Sequence, residues 1–196
     1  MGSVFIDVSM SIDGIVAGPN DGPDAPLGEN GELLHEWIFH PGRAETGDDR
    51  RHADLSARVG AVVLGRRTFD LGLPNWGDVP FPAPSFVLTH RPGPDLVMPG
   101  GTFTFLSSDP AEAVRLAKAA AGDRDVAVMG GAVGRQCLAT GLIDELHVHL
   151  VPVLLGRGVR LFEDTASAPV GWAAPEVTQS PRVTHLRYCR AVGAPG

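Results

Sequence analysis

Three short apolar runs in the sequence each end in a turn whose residues could hold an anion. The runs are AVVLG at 61–65, SFVL at 85–88 and VAVM at 126–129. Their turns contain Arg66, Arg67 and Thr68, then Thr89, His90 and Arg91, and then Gly130, Gly131, Ala132, Val133, Gly134 and Arg135. Arginine side chains and the N–H groups of a glycine-rich helix start are donors that proteins use for phosphates. If the runs are parallel strands, the turns meet at one edge of a sheet and predict a nucleotide-type ligand.

Each of these features also has a plain structural explanation. The pair Gly130–Gly131 suits a tight strand-to-helix turn that binds nothing, and the arginines suit solvated loops. The ordinary dinucleotide-binding arrangement is ruled out, because residues 9–22 contain no G-x-G-x-x-G after the first strand. We favour the nucleotide ligand, because the donors follow three separate strands of an acidic chain.

Helices alternate with short apolar strands through the middle of the chain. The predicted strands start with the run of Val4, Ile6 and Val8 and continue at 61–65, 84–90, 102–107, 126–129, 144–155 and 182–192. The predicted helices lie at 32–39, 48–59, 66–72, 109–122 and 131–141. This alternation predicts an α/β fold with a mostly parallel, twisted sheet and helices on both faces. No helix separates the last two strands, which predicts an antiparallel C-terminal edge.

The helix at 109–122 has the clearest end signals. Asp109 can cap it, Pro110 suits its first position, Glu112 completes a capping box and Gly122 ends it. Residues 18–31 are rich in glycine and proline and predict a long loop. A loop of this length inside a compact domain is typical of a functional or mobile segment.

Size and charge limit the classes of protein to which the chain can belong. Its 196 residues are 43% hydrophobic and 20% charged, which predicts one globular domain over residues 1–192 and a disordered tail at 193–196. The net charge of −7, without a basic cluster, argues against a nucleic-acid or membrane partner. The first residues do not resemble a signal peptide, and no run is long enough to span a membrane. We therefore expect a cytoplasmic protein with two reduced cysteines.

Three further features bear on chemistry. Glu145, His147 and His149 share one face of a predicted strand, but no further ligand is visible in the sequence and we predict no metal site. Asp13 before Gly14 fits a simple turn and a ligand contact equally well. No G-x-S-x-G or similar signature supports a hydrolase.

Several motifs together resemble the dihydrofolate reductase-like superfamily. They are VSMSIDGIVAG near the start, GRRTFD, VLTHR and VMGGAVG at the ends of the three apolar runs, and LIDELHVHLVPVLLGRGVRLF in the last third. Within that superfamily the combination is similar to the reductase domain of bacterial riboflavin biosynthesis and its stand-alone relatives, over about residues 3–190. The resemblance implies a three-layer fold. It also implies an NADPH-dependent reductase of a small pyrimidine- or pterin-like heterocycle, related to 5-amino-6-(5-phosphoribosylamino)uracil reductase.

The resemblance also assigns roles to residues. It implies that the cofactor diphosphate lies on the Gly130–Gly131 turn, with a cis peptide between the glycines, and that the adenosine 2′-phosphate lies beside residues 89–91. The implied cofactor residues are Ser9, Val16, Ala17, Gly18, Gly65, Arg66, Arg67, Thr68, Thr89, His90, Arg91, Met129, Gly130, Gly131, Ala132, Val133, Gly134 and Arg135. The candidate substrate residues are Asp13, Trp37 and Met129, although Trp37 also fits the core.

The stand-alone relatives imply a homodimer that pairs through the region of the sheet around the strand at 144–155. In this sequence that strand carries Val151 and Val153 beside two histidines. Such a mixed apolar face is a plausible partner surface.

Two positions depart from the family pattern. Leu34 stands where folate reductases carry an acid on the first helix, and Met129 stands where riboflavin-pathway reductases carry a glutamate before the glycine pair. Methionine cannot accept the hydrogen bonds that a glutamate accepts. We therefore name no catalytic residue. The alternative of a nucleotide-binding protein of the same fold, without reductase activity, stays open.

Overall fold

A central sheet organises the molecule. The computed structural model describes residues 2–41, 43–77, 81–163 and 170–191. The strands are β1 (Val4–Ser11), β2 (Ile15–Ala17), β3 (Val59–Gly65), β4 (Ser85–Leu88), β5 (Leu96–Met98), β6 (Gly101–Leu106), β7 (Asp125–Met129), β8 (Glu145–Val151), β9 (Val159–Arg160), β10 (Glu176–Ser180) and β11 (Val183–Cys189). Nine of them form one sheet in the order β10-β11-β8-β1-β7-β3-β4-β6-β5, and β2 pairs with β9 in a second, small sheet.

The strand directions agree with the prediction. The neighbours β8, β1, β7, β3, β4 and β6 all run parallel. At the C-terminal edge β11 is antiparallel to β8, and β10 is antiparallel to β11. The mostly parallel sheet and its antiparallel C-terminal edge are therefore confirmed. A second antiparallel strand, β5, closes the opposite edge and was not predicted.

Helices cover both faces of the sheet. They are α1 (Glu36–Phe39), α2 (Arg43–Thr46), α3 (Asp48–Arg58), α4 (Arg66–Gly72), α5 (Pro110–Ala121) and α6 (Gly131–Ala139). Alternate residues of β3 show the two layers, because alternate side chains of a strand point to opposite faces. Ala61 and Val63 pack in the cluster that includes α5 and α6, whereas Val62 and Leu64 pack with Phe69 of α4. The predicted three-layer α/β arrangement is confirmed.

Two predicted elements are shorter in the structure. The predicted helix at 32–39 is divided into a 3-10 turn, Gly31–Leu34, and α1. His35 separates them with a φ of −116°, and its Nδ1 lies 3.3 Å from the Gly31 carbonyl oxygen. The predicted strand at 144–155 ends at Val151, because the next residue, Pro152, has no N–H for the ladder.

The ends of the helices follow the predicted signals in part. The Asp109 carboxylate accepts the Glu112 N–H at 2.8 Å, so the predicted cap of α5 is confirmed. The reciprocal half of the predicted capping box is wrong, because the Glu112 carboxylate binds Arg115 instead, at 2.7 Å. The predicted tail at 193–196, together with residue 192, lies outside the described residues. Within the described ranges, none of the helices combines the length and apolarity needed to cross a bilayer.

The strand face predicted as a partner surface is not exposed. β8 lies between β1 and β11, because β11 and β10 extend the sheet beyond it. Val151 is buried in a cluster with Trp37, and both His147 and His149 are buried. These side chains are therefore covered within the chain itself, and the homodimer stays a prediction.

Candidate functional site

The fold brings the three predicted turns to one edge of the sheet. They follow β7, β3 and β4, which are adjacent and parallel, so their carboxyl ends meet there. The turn after β3 and the turn after β7 are in direct contact. A β-carbon built on Gly130 would lie 2.2 Å from Thr68 Oγ1, and one built on Gly65 would lie 3.2 Å from Val133 Cγ2. In parallel α/β sheets, this edge is where ligands bind.

The glycine turn depends on a left-handed residue rather than on a cis bond. Gly130 has φ 91° and ψ 139°, and the peptide between Gly130 and Gly131 is trans. The predicted cis peptide is therefore wrong. The positive φ of Gly130 alone reverses the chain between β7 and α6, and that conformation is accessible to glycine at little cost.

The first turn of α6 leaves backbone donors at this edge. No side chain in the described part of the chain caps α6, and its first bond of the helical type runs from the Gly134 N–H to the Gly130 carbonyl. The N–H groups of residues 131–133 precede that bond and have no partner inside the helix. Because the helix dipole places partial positive charge at the same end, this turn suits an anion. The side chain of Val133 points into the core, so it can contribute only its N–H group.

Three of the predicted cations already have protein partners. The Arg67 guanidinium contacts both carboxylate oxygens of Asp21 at 2.6 Å and so holds the loop at 18–31 against α4. Arg66 donates to Asp70 at 2.8 Å. Arg135 Nη1 donates to the carbonyl oxygen of Arg160 at 2.7 Å. These bonds orient the arginines but take up part of their donor capacity.

The turn after β4 keeps an uncommitted cation. Thr89 Oγ1 accepts the Arg91 N–H at 3.1 Å and shapes the turn. Arg91 is exposed, and its guanidinium forms no ion pair with any described residue. Of the four predicted arginines, Arg91 is therefore the one whose guanidinium has neither a hydrogen bond nor an ion pair with a described residue.

The small sheet borders the glycine turn on its other side. A β-carbon built on Gly131 would lie 2.9 Å from Val159 Cγ1 and 3.9 Å from Val16 Cγ2. The predicted residues Val16, Ala17 and Gly18 thus lie near this turn, although they are far from it in sequence. Gly18 donates its N–H to Leu27 at 2.8 Å, which fixes the start of the long loop.

The candidate substrate residues have clear structural roles. Trp37 is 3% exposed, and its Nε1–H donates to the buried hydroxyl of Ser9 at 3.0 Å. Met129 packs in the apolar cluster that contains Leu64 and Phe69. Trp37 is therefore a component of the core, whereas Met129 is partly buried and packs against the core on the same sheet face, and Ser9 lies on that face between them.

Asp13 fixes a turn. Its carboxylate accepts the Ser11 hydroxyl at 2.6 Å and the backbone N–H groups of Gly156 at 2.7 Å and Leu155 at 3.1 Å. These hydrogen bonds, that of Ser11 above all, lower the pKa of Asp13 to about 2. Of the two explanations for the Asp13–Gly14 pair, the structure supports the turn.

The sequence analysis missed a chain of buried polar groups beside Ser9. Asp7 Oδ1 lies 2.5 Å from His149 Nε2, and the Nδ1 atoms of His149 and His185 are 2.7 Å apart. His185 Nε2 lies 3.0 Å from Asp48 Oδ1. The strand register places Ser9, His149 and His185 side by side on β1, β8 and β11. The signal in the sequence was the alternation of polar residues along otherwise buried strands, which we considered only as a possible metal site and as part of a partner surface.

A second buried group lies one row away. Glu145 accepts from His147 at 2.9 Å, from Arg187 at 3.1 Å and from Arg58 at 3.3 Å. Burial raises the pKa of the Glu145 carboxyl, but these partners outweigh it and lower the value to about 2. Glu145 and His147 therefore bind each other, whereas His149 is hydrogen-bonded to Asp7 and His185. The side chains of Glu145, His147 and His149 thus do not converge on one point.

An open cleft reaches both groups. It measures about 260 Å³ and lies between α3 and strands β8, β10 and β11. Its lining includes Arg51, Arg58, His147, His149, His185 and Arg187. Arg51 Nε is buried and has no hydrogen-bond partner among the described residues. The cleft gives water access to the two histidines of the polar chain.

Comparisons with known proteins agree on family and fold. Residues 3–186 match the family model described as the RibD C-terminal domain. A search of the curated proteins gave no match. A solved structure from Shewanella sp. PV-4, whose name assigns it to riboflavin biosynthesis, is similar at 23% identity with a TM-score of 0.77, over 97% of this chain and 99% of that one.

Two further structures extend the likeness. Dihydrofolate reductase from Enterococcus faecalis, solved with NADP(H), has a TM-score of 0.57 at 15% identity, over 96% of each chain. A deaminase/5-amino-6-(5-phosphoribosylamino)uracil reductase from Thermotoga maritima has a TM-score of 0.63 at 13% identity, over 97% of this chain and 57% of that one. At these identities the likeness shows the fold, which is that of dihydrofolate reductase.

Proposed function

Because the chain belongs to the RibD C-terminal domain family, we propose that it is a reductase that transfers hydride from NADPH to a small conjugated heterocycle. One observation carries the proposal. The uncapped start of α6, the Thr68 hydroxyl and the uncommitted Arg91 lie on three adjacent parallel strand ends. This arrangement supplies donors for a ligand with several phosphates.

The residues at this edge fit the parts of a dinucleotide. The N–H groups of residues 131–133 would hold the diphosphate, and Arg91 with Thr89 would border a 2′-phosphate. Ser9 and the strand β2 would border the nicotinamide, which supplies hydride when the cofactor is bound. The protein's own part is to orient the two rings and to keep water away from them.

The substrate would lie on the face of β1 and β7 that carries Ser9 and Met129. Phe5 pairs with Ala127, so Asp7 and Met129, each two residues further along, lie on this face as well. The apolar Met129 offers a surface for a flat ring, and Asp7 offers a polar group beside it. This combination suits a conjugated heterocycle with a ring nitrogen.

NADPH oxidation tests the proposal directly. The purified chain is mixed with NADPH and with dihydrofolate or 5-amino-6-(5-phosphoribosylamino)uracil as probe, and the loss of NADPH absorbance is followed. Turnover of either class of ring supports a reductase. Tight NADPH binding without turnover across a broad panel of pterins and pyrimidines would instead support the alternative, a nucleotide-binding protein of this fold.

We expect NADPH to bind more tightly than NADH, and Arg91 to carry the difference. A hydrogen bond to a charged group contributes about 1.5 kcal/mol or more, which corresponds to at least about tenfold in Kd. Arg91→Gln should therefore raise the Kd for NADPH about tenfold and leave the Kd for NADH unchanged, as measured by fluorescence titration. Arg115→Gln, an exposed arginine on α5, is the matched control. Equal affinities of the unaltered protein for the two cofactors would contradict the prediction.

We also propose a homodimer, formed through the edge strand β10 rather than through β8. β10 is five residues long, has a neighbour on one side only among the described strands, and exposes 61% of Val177. An exposed apolar edge strand is a template for pairing with another chain. Light scattering should give twice 20.6 kDa at micromolar concentration, and Val177→Lys should give the monomer. Val97→Lys, on the opposite edge strand β5, should leave the dimer intact. A wild-type species of 20.6 kDa alone would exclude the dimer.

A further inference from the structure

The polar chain beside Ser9 consists of four side chains joined by three short contacts. We name Asp7, His149, His185 and Asp48 the Asp–His–His–Asp chain. Its contacts measure 2.5, 2.7 and 3.0 Å, in that order from Asp7 to Asp48. Asp48 also accepts the Ser180 hydroxyl, at 2.6 Å. Every member is held by its neighbours, so the geometry does not depend on a ligand.

A count of protons shows that the Asp–His–His–Asp chain holds one proton more than two neutral histidines and two ionised aspartates supply. Each contact joins two atoms with lone pairs and needs one proton between them. Two neutral imidazoles supply two protons, and the two carboxylates supply none. At 2.7 Å the Nδ1 atoms of His149 and His185 cannot both be unprotonated, because their lone pairs would repel each other. The fully bonded chain therefore holds a third proton, and its net charge is −1.

The charges around the chain favour this state. Burial raises the pKa of both aspartates, but hydrogen bonds from the histidines and hydroxyls outweigh it and keep the pKa values below the ordinary range. Burial lowers the pKa of His185. His147 on β8 and His52 on α3 face Asp7, His35 faces Asp7 and His149, and Arg51 on α3 faces His185. Two ionised carboxylates thus hold the extra proton, while burial of His185 favours its release.

Asp7 is the most exposed member of the chain. The Asp7 side chain is 30% exposed, whereas those of His149, His185 and Asp48 are 8% exposed or less. Asp7 lies two residues before Ser9 on the same strand face, about 6.5 Å along β1. That face is where the proposed function places the substrate ring.

We propose that the Asp–His–His–Asp chain is the proton donor of the reduction, with Asp7 as the catalytic acid and His149, His185 and Asp48 as positioning residues that reload it. This inference rests on the proposed function. The substrate double bond receives hydride at one atom, and its π pair takes a proton at the other. The ionised Asp7 carboxylate relays that proton: it receives the proton from His149 Nε2 and passes it to the substrate, and the bridging proton moves fully onto His149 Nδ1. One proton from water in the cleft then refills the chain, so one hydride and one proton are consumed per turnover.

Proton NMR of the ligand-free protein tests the stored proton. We expect one strongly low-field resonance from the His149–His185 bridge, which His185→Gln removes. His147→Gln should keep it, because His147 is on the same strand face but bonds Glu145. Two rings that titrate independently, without a shared proton, would overturn the proposal.

Kinetics test the delivery step. With the probe that turns over, Asp7→Asn should lower kcat about 100-fold, which is typical of a lost general acid, and leave the Kd for NADPH unchanged. The wild-type kcat should fall as pH rises and the chain loses its proton. Asp48→Asn should move that fall to lower pH, because it removes a negative charge that holds the proton.

The outcomes are distinguishable. An unchanged kcat in folded Asp7→Asn, or a wild-type kcat without an alkaline fall, overturns the donor role; the wild-type profile needs no variant to fold. If no probe turns over, the proposed function and the delivery step fail together. The NMR result then still decides whether the chain stores a proton.

Discussion

Gly130→Ala should abolish measurable NADPH binding and destabilise the protein by about 2–6 kcal/mol. A side chain at a φ of 91° is strained by about 1–3 kcal/mol. The new β-carbon would also lie 2.2 Å from Thr68 Oγ1, and overpacking of this kind costs about 1–3 kcal/mol. Relief of that contact must move either the start of α6 or the turn after β3, and both belong to the proposed phosphate site. Denaturant unfolding and NADPH fluorescence titration measure the two effects.

Two variants separate strain from contact at this turn. Gly131→Ala is the matched control: residue 131 is helical, and its β-carbon would meet the Val159 side chain at 2.9 Å. We expect it to fold normally and to weaken NADPH binding only moderately, because Val159 can shift. Adding Thr68→Ala to Gly130→Ala should recover the part of the stability lost to the contact, but not the part lost to φ. Parent-like NADPH affinity in folded Gly130→Ala would mean that the turn serves packing alone.

Glu145→Gln should cost about 3 kcal/mol of stability near neutral pH. The buried carboxylate faces Arg58 and Arg187, and removing one partner of a buried ionic group leaves the others uncompensated. We take the lower end of the usual range, because Arg58 and Arg187 are 36% and 34% exposed. Glu112→Gln removes an exposed carboxylate bonded to Arg115 and is the control; it should change stability little.

The same carboxylate predicts a pH dependence. The pKa of Glu145 is lowered from 4.5 to about 2 in the folded protein. Its contribution to stability is therefore complete above pH 4.5 and is lost as the pH falls towards 2. Denaturant unfolding across that interval should show a steeper loss of stability for the wild type than for Glu145→Gln. Parallel curves for the two proteins would show that Glu145 is not held ionised by its partners.

The sequence determined the seven longer runs that became β1, β3, β4, β6, β7, β8 and β11, together with most helices and the turns that follow β3, β4 and β7. Apolar runs such as AVVLG cannot remain in water, and the aspartate, proline and glycine signals around 109–122 act on their immediate neighbours. The glycine pair could be located for the same reason, since only glycine takes a φ of 91° without strain. The cis peptide was carried over from relatives and not from these residues, and it was wrong.

Only the tertiary structure decided which side chains are partners. Arg67 binds Asp21, 46 residues away, and His149 binds Asp7, 142 residues away. No local pattern predicts such pairs, because the order and register of β11, β8 and β1 bring them together. The edge strands β5 and β10 also escaped prediction: they are short and exposed, so burial imposes no alternation on them. Local backbone preferences thus set the elements. The packing of the sheet gave Arg66, Arg67 and Arg135 protein partners, left Arg91 without one among the described residues, and brought the four side chains of the Asp–His–His–Asp chain together.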